Sequence, residues 1–167
     1  MHFTKTFFTA LLAFVASVAS QTTTQPEPKP CVVHRALPFE QEKIFEVFIK
    51  DFLVTKNYTR AYTHIASDMI QHNPLVPDGS HGSFNAVFNF LGAPEVKIQV
   101  LHRAFAAPIG WAHYRVDGYT GPGLDGAPVT QPMAVVDVFR FNGTCVQEHW
   151  DVIQERPEHS LNPHPLF

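Results

Sequence analysis

Apolar residues recur at helical spacing through Ile44, Phe45, Phe48, Ile49, Phe52 and Leu53. That stripe predicts one strongly amphipathic helix starting near Pro38, with Glu40 and Glu42 suitably early. Asn57-Tyr58-Thr59 can cap a shorter second helix running through Ala61, Tyr62 and Ile65. Asp68 to Pro74 reads as a short extended piece halted by Asn73-Pro74, and Pro77-Asp78-Gly79 as a turn. The helical period returns at Phe84, Val87, Phe88 and Leu91 and ends at Gly92. After Pro94 the period changes. Residues 96–105, 111–116, 133–141 and 144–153 read as strands, separated by Pro108-Ile109-Gly110, Gly121-Pro122-Gly123 and Asn142-Gly143. Helices first and a mostly antiparallel run of strands after is the α+β pattern, with about three N-terminal helices on one face of a curved sheet. A sheet curved around a long helix leaves a conical apolar cavity, a natural small-molecule site. No internal repeat and no second domain is visible.

Composition narrows the class. Lys5, the apolar run from Phe7 to Val18 and the small residues Val18-Ala19-Ser20 form a secretory signal peptide over residues 1–20, too short to span a membrane. Residues 21–37, rich in Thr, Gln and Pro at their start, form an arm expected to be disordered, and 38–167 a single domain. The formal net charge of −3, with no basic run, excludes a nucleic-acid face and leaves a small molecule or another protein as partner. In an oxidising compartment the two cysteines, Cys31 and Cys145, are expected to form a disulfide stapling the arm to the last hairpin. Asn57 and Asn142 each head an Asn-x-Thr glycosylation acceptor and are expected at the surface.

The chemistry concentrates in the last hairpin, where Asp137, Glu148, His149 and Asp151 interrupt Val, Phe and Trp. Ionisable groups on an apolar sheet are costly unless paired or used. Two registers are open. A two-residue Asn142-Gly143 loop pairs Phe141 with Thr144 and puts Asp137 opposite Glu148. A three-residue loop with a bulge pairs Phe141 with Cys145, puts Asp137 opposite His149 and Val135 opposite Asp151, and gathers Asp137, His149 and Asp151 on one face. In either, His149 and Asp151 lie on the same side of their strand. A His and a carboxylate in an apolar cup form a workable acid–base pair.

Glu148-His-Trp-Asp-Val-Ile-Gln154, preceded by Val136-Asp-Val-Phe-Arg140, resembles the signature of the SnoaL-like polyketide cyclases of the nuclear transport factor 2-like superfamily. Ile70-Gln-His-Asn-Pro74 with Pro77-Asp-Gly79, and the ending Asn162-Pro-His-Pro-Leu-Phe167, carry the same likeness, over about residues 40 to 167. The resemblance implies a conical α+β barrel whose cavity performs acid–base chemistry with neither metal nor organic cofactor. It places the cyclases' acid/base Asp at Asp151. Their second polar residue, a His fourteen positions upstream, falls on Asp137, so a carboxylate replaces an imidazole here. That spacing favours the bulged register.

Further candidates are His72 and Gln71 at the implied cavity mouth, His113 on a strand with one inward face, where a satisfied core histidine is the alternative, and Trp150 as a substrate contact, where packing or a dimer interface is the alternative. Arg140 could neutralise an acid, although a solvated strand face suits it. No His-x-His or His-x-x-x-His pair and no zinc-spaced cysteines occur among the ten histidines, so no metal site is expected. The reading that results is a secreted, cofactor-free enzyme moving a proton next to a carbonyl, in aldol cyclisation, isomerisation or dehydration. Asp151 would be the general base or acid, assisted by Asp137 and His149, with His72 and His113 polarising the substrate. The alternatives are a non-catalytic protein that sequesters an apolar molecule in the same cavity, and an interaction module whose open sheet face builds a homodimer.

Overall fold

A computed structural model describes residues 28–123 and 126–167; the expected signal peptide and the arm up to residue 27 lie outside the described residues. Helix α1, Pro38–Ile49, starts with Pro at its first positions, and the Leu37 N–H donates to Glu40 Oε2 at 2.7 Å. Its apolar stripe continues through a π-helical turn, Lys50–Val54. The wider turn keeps Phe52 and Leu53 in the core and also buries Asp51, whose carboxylate meets Arg60 Nε at 3.3 Å. Asn57 caps the short helix α2, Tyr58–Tyr62, by accepting the Arg60 N–H. Helix α3, Gly79–Leu91, ends where Gly92 donates its N–H to the Phe88 carbonyl.

Five strands follow or interleave: β1 Ile65–Gln71, β2 Lys97–Ala106, β3 Ile109–Asp117, β4 Met133–Asn142 and β5 Cys145–Glu155. Their order is β1-β5-β4-β3-β2, with β1 parallel to β5 and the other pairs antiparallel. The architecture is thus α+β with a mixed sheet. The sheet is open, with β1 and β2 as its edges, which corrects the expectation of a barrel. Ile65, expected on the second helix, instead opens β1. The reason is tertiary: Val146 donates to the His64 carbonyl and Cys31 to that of Ile65, so this segment is held extended between the arm and β5.

Phe45, Phe48 and Phe52 face Phe139 and Phe141 of β4, with Phe48 edge-on to Phe139 at 4.9 Å. These buried rings fasten α1 to the centre of the sheet, and burying each large side chain is worth about 1.5–3 kcal/mol. Cys31 and Cys145 form a disulfide with Cα atoms 5.8 Å apart, the expected staple. Asn57 and Asn142 are both exposed. Among the described residues no helix is long and apolar enough to cross a membrane.

The β4–β5 hairpin adopts neither expected register. Its loop is Gly143-Thr144, so Asn142 pairs with Cys145 and Phe141 with Val146. Gly143 has φ +54° and Thr144 does not have positive φ, the Gly-first pattern of a type II′ turn. The arm dictates this shift. Thr144 N–H donates to the His34 carbonyl at 3.0 Å, Gln41 Nε2 donates to the Gly143 carbonyl at 2.9 Å, and a Cβ on Gly143 would stand 1.9 Å from His34 O. A bulge then sets Arg140 opposite Glu148, leaving Gln147 as the extra residue. Beyond it Asp137 lies opposite Asp151, and Phe139 opposite His149.

Candidate functional site

The bulge decides the chemistry, because every residue of β5 beyond Gln147 takes its face from it. Asp137, His149 and Asp151 all project from the inner face into a cavity of about 250 Å³. The rest of its wall is mostly apolar, including Phe52, Val87, Phe90, Met133 and Ile153. No Lys or Arg lines it among the described residues.

Each acidic or basic group has one polar atom anchored and one left over. Asp137, 3% exposed, accepts the Tyr114 hydroxyl on Oδ2 at 2.9 Å. Tyr114 is fully buried, and burial, reinforced by the Asp137 charge, pushes its hydroxyl well above the ordinary phenol range. It therefore remains a neutral donor. Asp151 accepts from Asn73 Nδ2 on Oδ2 at 2.6 Å, while Asn73 Oδ1 takes the Leu75 N–H at 2.8 Å. A backbone N–H at its oxygen fixes which way the Asn73 amide points.

Gln71 orients His149 by the same logic. The backbone N–H of Asn73 donates to Gln71 Oε1 at 3.0 Å, which identifies that atom as the oxygen. His149 Nδ1 is 2.8 Å from the same oxygen, so it must carry a proton and donate. In the neutral ring Nε2 is then a bare lone pair. It lies 3.3 Å from Asp137 Oδ1, off the line of a good hydrogen bond, and is fully buried without a hydrogen-bond partner. Phe139 stacks on the ring at 4.9 Å and holds its plane.

Asp151 is half-buried, and its carboxyl is raised above the ordinary aspartate range. Burial is the largest cause; the Asn73 hydrogen bond and His149 oppose it, and Asp137 adds to it. A carboxyl raised in this way is better matched to proton transfer near neutral pH than a free one.

The chain superposes on TsrD from Streptomyces laurentii at 17% identity, covering 71% of this chain and 91% of that one, with a TM-score of 0.54. An NTF2-like protein of unknown function from Burkholderia xenovorans aligns at 12% identity over 74% of this chain and 89% of its own, TM-score 0.57. A proposed polyketide cyclase from Acidithiobacillus ferrooxidans aligns at 17% identity over 68% of this chain and 87% of its own, TM-score 0.50. The chain has the NTF2-like fold. No protein-family model and no curated protein matches it. At these identities the likeness carries the fold and not the reaction.

Within the NTF2-like cup, Gln71 lines the cavity with Asp137, His149 and Asp151. Three other expectations are corrected. His72 belongs to the outer face of the sheet, stacked on Trp150 at 4.5 Å with Nε2 3.2 Å from Glu148. Trp150, opposite Val138, shares that outer face and does not line the cavity. His113 also points outward, its ring 5.8 Å from His102, because Ala112 and Tyr114 are the inward residues of β3. Glu148 is paired outside with Arg140, whose guanidinium holds its carboxyl below the ordinary range. So Arg140 does neutralise an acid, on the outer face. Two site residues escaped the sequence reading. Asn73 lay inside the Gln-His-Asn-Pro motif, and Tyr114 was legible only as the alternate to His113 on its strand.

Proposed function

We propose that this NTF2-like protein is a secreted enzyme that moves a proton next to a carbonyl of a small, uncharged, largely apolar substrate. Aldol cyclisation, isomerisation and dehydration all begin with that step. The observation that carries the reading is the Asp137–His149–Asp151 cluster at the floor of an apolar cavity, with the His149 tautomer fixed by Gln71 and its Nε2 left bare. Asp151 is the general base that takes the proton, its basicity raised by burial. His149 Nε2 accepts a proton from a substrate hydroxyl or returns one to an enolate oxygen, and Asp137, 3.3 Å away, steadies the imidazolium that forms. Tyr114 and Asn73 hold the two carboxylates in place.

The substrate class follows from the wall. Two carboxylates with no Lys or Arg among the described lining residues repel a carboxylate or phosphate ligand. A dry cavity of about 150 Å³ already admits benzene, so about 250 Å³ suits a compact one- or two-ring ketone. The disulfide supports secretion, since such bonds persist in oxidising compartments. The likeness to a proposed polyketide cyclase supports the reaction class.

The test is deuterium exchange at the carbon next to the carbonyl, followed by mass spectrometry over a panel of uncharged aromatic ketones and 1,3-diketones. Asp151→Asn should slow exchange by about 10²–10⁴-fold, the usual worth of a general base. Tight ligand binding with no exchange on any member of the panel would replace this reading with that of a carrier using the same cavity.

A further inference from the structure

We propose that Asp137, His149 and Asp151 also form a binding site for a divalent metal ion of the zinc class. One ligand atom from each lies within 4.8 Å of the other two. Asp137 Oδ1 and His149 Nε2 are already 3.3 Å apart. That is about the ligand–ligand edge of a tetrahedron whose bonds are ~2.0–2.1 Å.

A pair of acids beside a histidine would not by itself make a site. The second observation is His149 itself, 9% exposed, with Nε2 wholly buried and no hydrogen-bond partner. A buried ring nitrogen left bare forfeits a hydrogen bond unless something occupies it. The atoms behind the three candidate ligands complete the pattern. His149 Nδ1 donates to Gln71, Asp137 Oδ2 accepts from Tyr114, and Asp151 Oδ2 accepts from Asn73. Each of the three residues is thus held by a hydrogen bond to a neighbouring side chain, as metal ligands commonly are.

Charge points the same way. The carboxylates of Asp137 and Asp151 face one another across the β4–β5 ladder, and no Lys or Arg lines their cavity among the described residues. A dication neutralises both, whereas one shared proton neutralises half. Calcium and magnesium prefer six or more oxygens, but one imidazole with two carboxylates suits zinc and its neighbours. The remaining coordination positions would open into the apolar cavity. This goes beyond the proton-transfer reading and does not rest on it: metal and proton are alternative occupants of the same lone pairs, so binding weakens as acid fills them.

The experiment uses the full mature chain, stripped with EDTA and titrated with zinc chloride alone, followed by calorimetry and elemental analysis after dialysis. One saturable zinc per chain is expected. His149→Gln and Asp151→Asn should each weaken it by more than 100-fold, with folding checked by circular dichroism. Gln71→Leu, which leaves all three ligands in place but frees the ring, should weaken it by about 10–100-fold. His102→Gln should leave it unchanged. Absence of saturable binding, or zinc that survives His149→Gln and disappears with His102→Gln, would overturn the site. Exchange assays run in EDTA keep the two ideas apart. Ketone exchange without zinc binding sinks the metal site alone, and zinc binding without exchange leaves it standing.

Discussion

Tyr114→Phe isolates the hydrogen bond on which the buried end of the site depends. The Tyr114 hydroxyl is a buried donor 2.9 Å from Asp137 Oδ2, and both residues are at most 3% exposed. Phe keeps the ring and opens almost no cavity, so the packing term is small. What is lost is a buried hydrogen bond to a carboxylate oxygen, a class worth about 1.5–3 kcal/mol. For a domain between the sizes usually tabulated, about 3–6 °C per kcal/mol applies, so the thermal midpoint should fall by about 5–18 °C. Asp137→Asn in the same background completes a double-mutant cycle, and residues in one buried network should couple by about 0.5–3 kcal/mol. Calorimetric midpoints at neutral pH provide the assay. A midpoint within about 2 °C of the parent, or strict additivity in the cycle, would show that Asp137 does not depend on Tyr114 and would remove the anchored-carboxylate argument.

Three further outcomes follow from the same geometry. Because burial raises Asp151 above the ordinary aspartate range, the folded chain binds more protons than the unfolded one between the ordinary value and the raised one. Stability should therefore fall as pH rises through that window and stay lowered above it; Asp151→Asn should flatten the fall in urea midpoints and be the more stable protein at pH 7, while losing exchange. Cys31→Ala opens a disulfide spanning 114 positions, worth about 2–5 kcal/mol in the chain-entropy account; a thermal midpoint unchanged from the parent would contradict it. His72→Ala and His113→Ala act on the outer face, so ligand affinity and exchange should stay within about twofold, and a tenfold loss in either would refute the face assignment.

How far the sequence disclosed this molecule depended on whether the deciding contacts were local. The Phe45-Phe48-Phe52 stripe announced α1, and the turn signals bracketed β2 to β5, because these patterns repeat within a few residues. The parallel pairing of β1 with β5 joins segments some eighty positions apart, so nothing within 65–71 announces it. The register failed for a related reason. Asn142-Gly143 is a strong local turn signal, yet His34 and Gln41, about a hundred positions upstream, clasp Gly143-Thr144 and shift the tip by one residue. The bulge at Gln147 then restores a shared face for Asp137, His149 and Asp151. Period-two alternation put His149 and Asp151 on one side of their strand, whereas the place of Asp137 beside them depended on a register the local sequence left open. His113 and Tyr114 show the limit most sharply: adjacent residues on one strand, one of which must face inward, and the choice depends on β4 and α1 rather than on β3.

The substitution that weakens a direct transfer of the cyclase mechanism is therefore less damaging than it looks from the sequence. The resemblance calls for an imidazole where this chain has Asp137, and a carboxylate alone cannot act as a cationic donor. The register actually adopted sets Asp137 opposite Asp151 and brings His149, two residues before Asp151, to within 3.3 Å of Asp137. An imidazole and a carboxylate thus share one end of the cavity, with the imidazole supplied by β5. Had β5 kept the unbulged spacing of the hairpin tip, Asp137 would lie opposite Trp150, and His149 and Asp151 would turn to the outer face. That Gln147 is bulged out of the pairing is consequently the structural condition of the site, whether a proton or a metal ion occupies it. Deleting Gln147 removes the bulge but leaves Arg140 opposite Glu148, Phe139 opposite His149 and Asp137 opposite Asp151, so the deletion should keep the hairpin and retain both ketone exchange and zinc binding to within about tenfold. Loss of both functions in the deletion, with the sheet intact by circular dichroism, would mean that the strands do not pair beyond Arg140 in the register on which the site is argued.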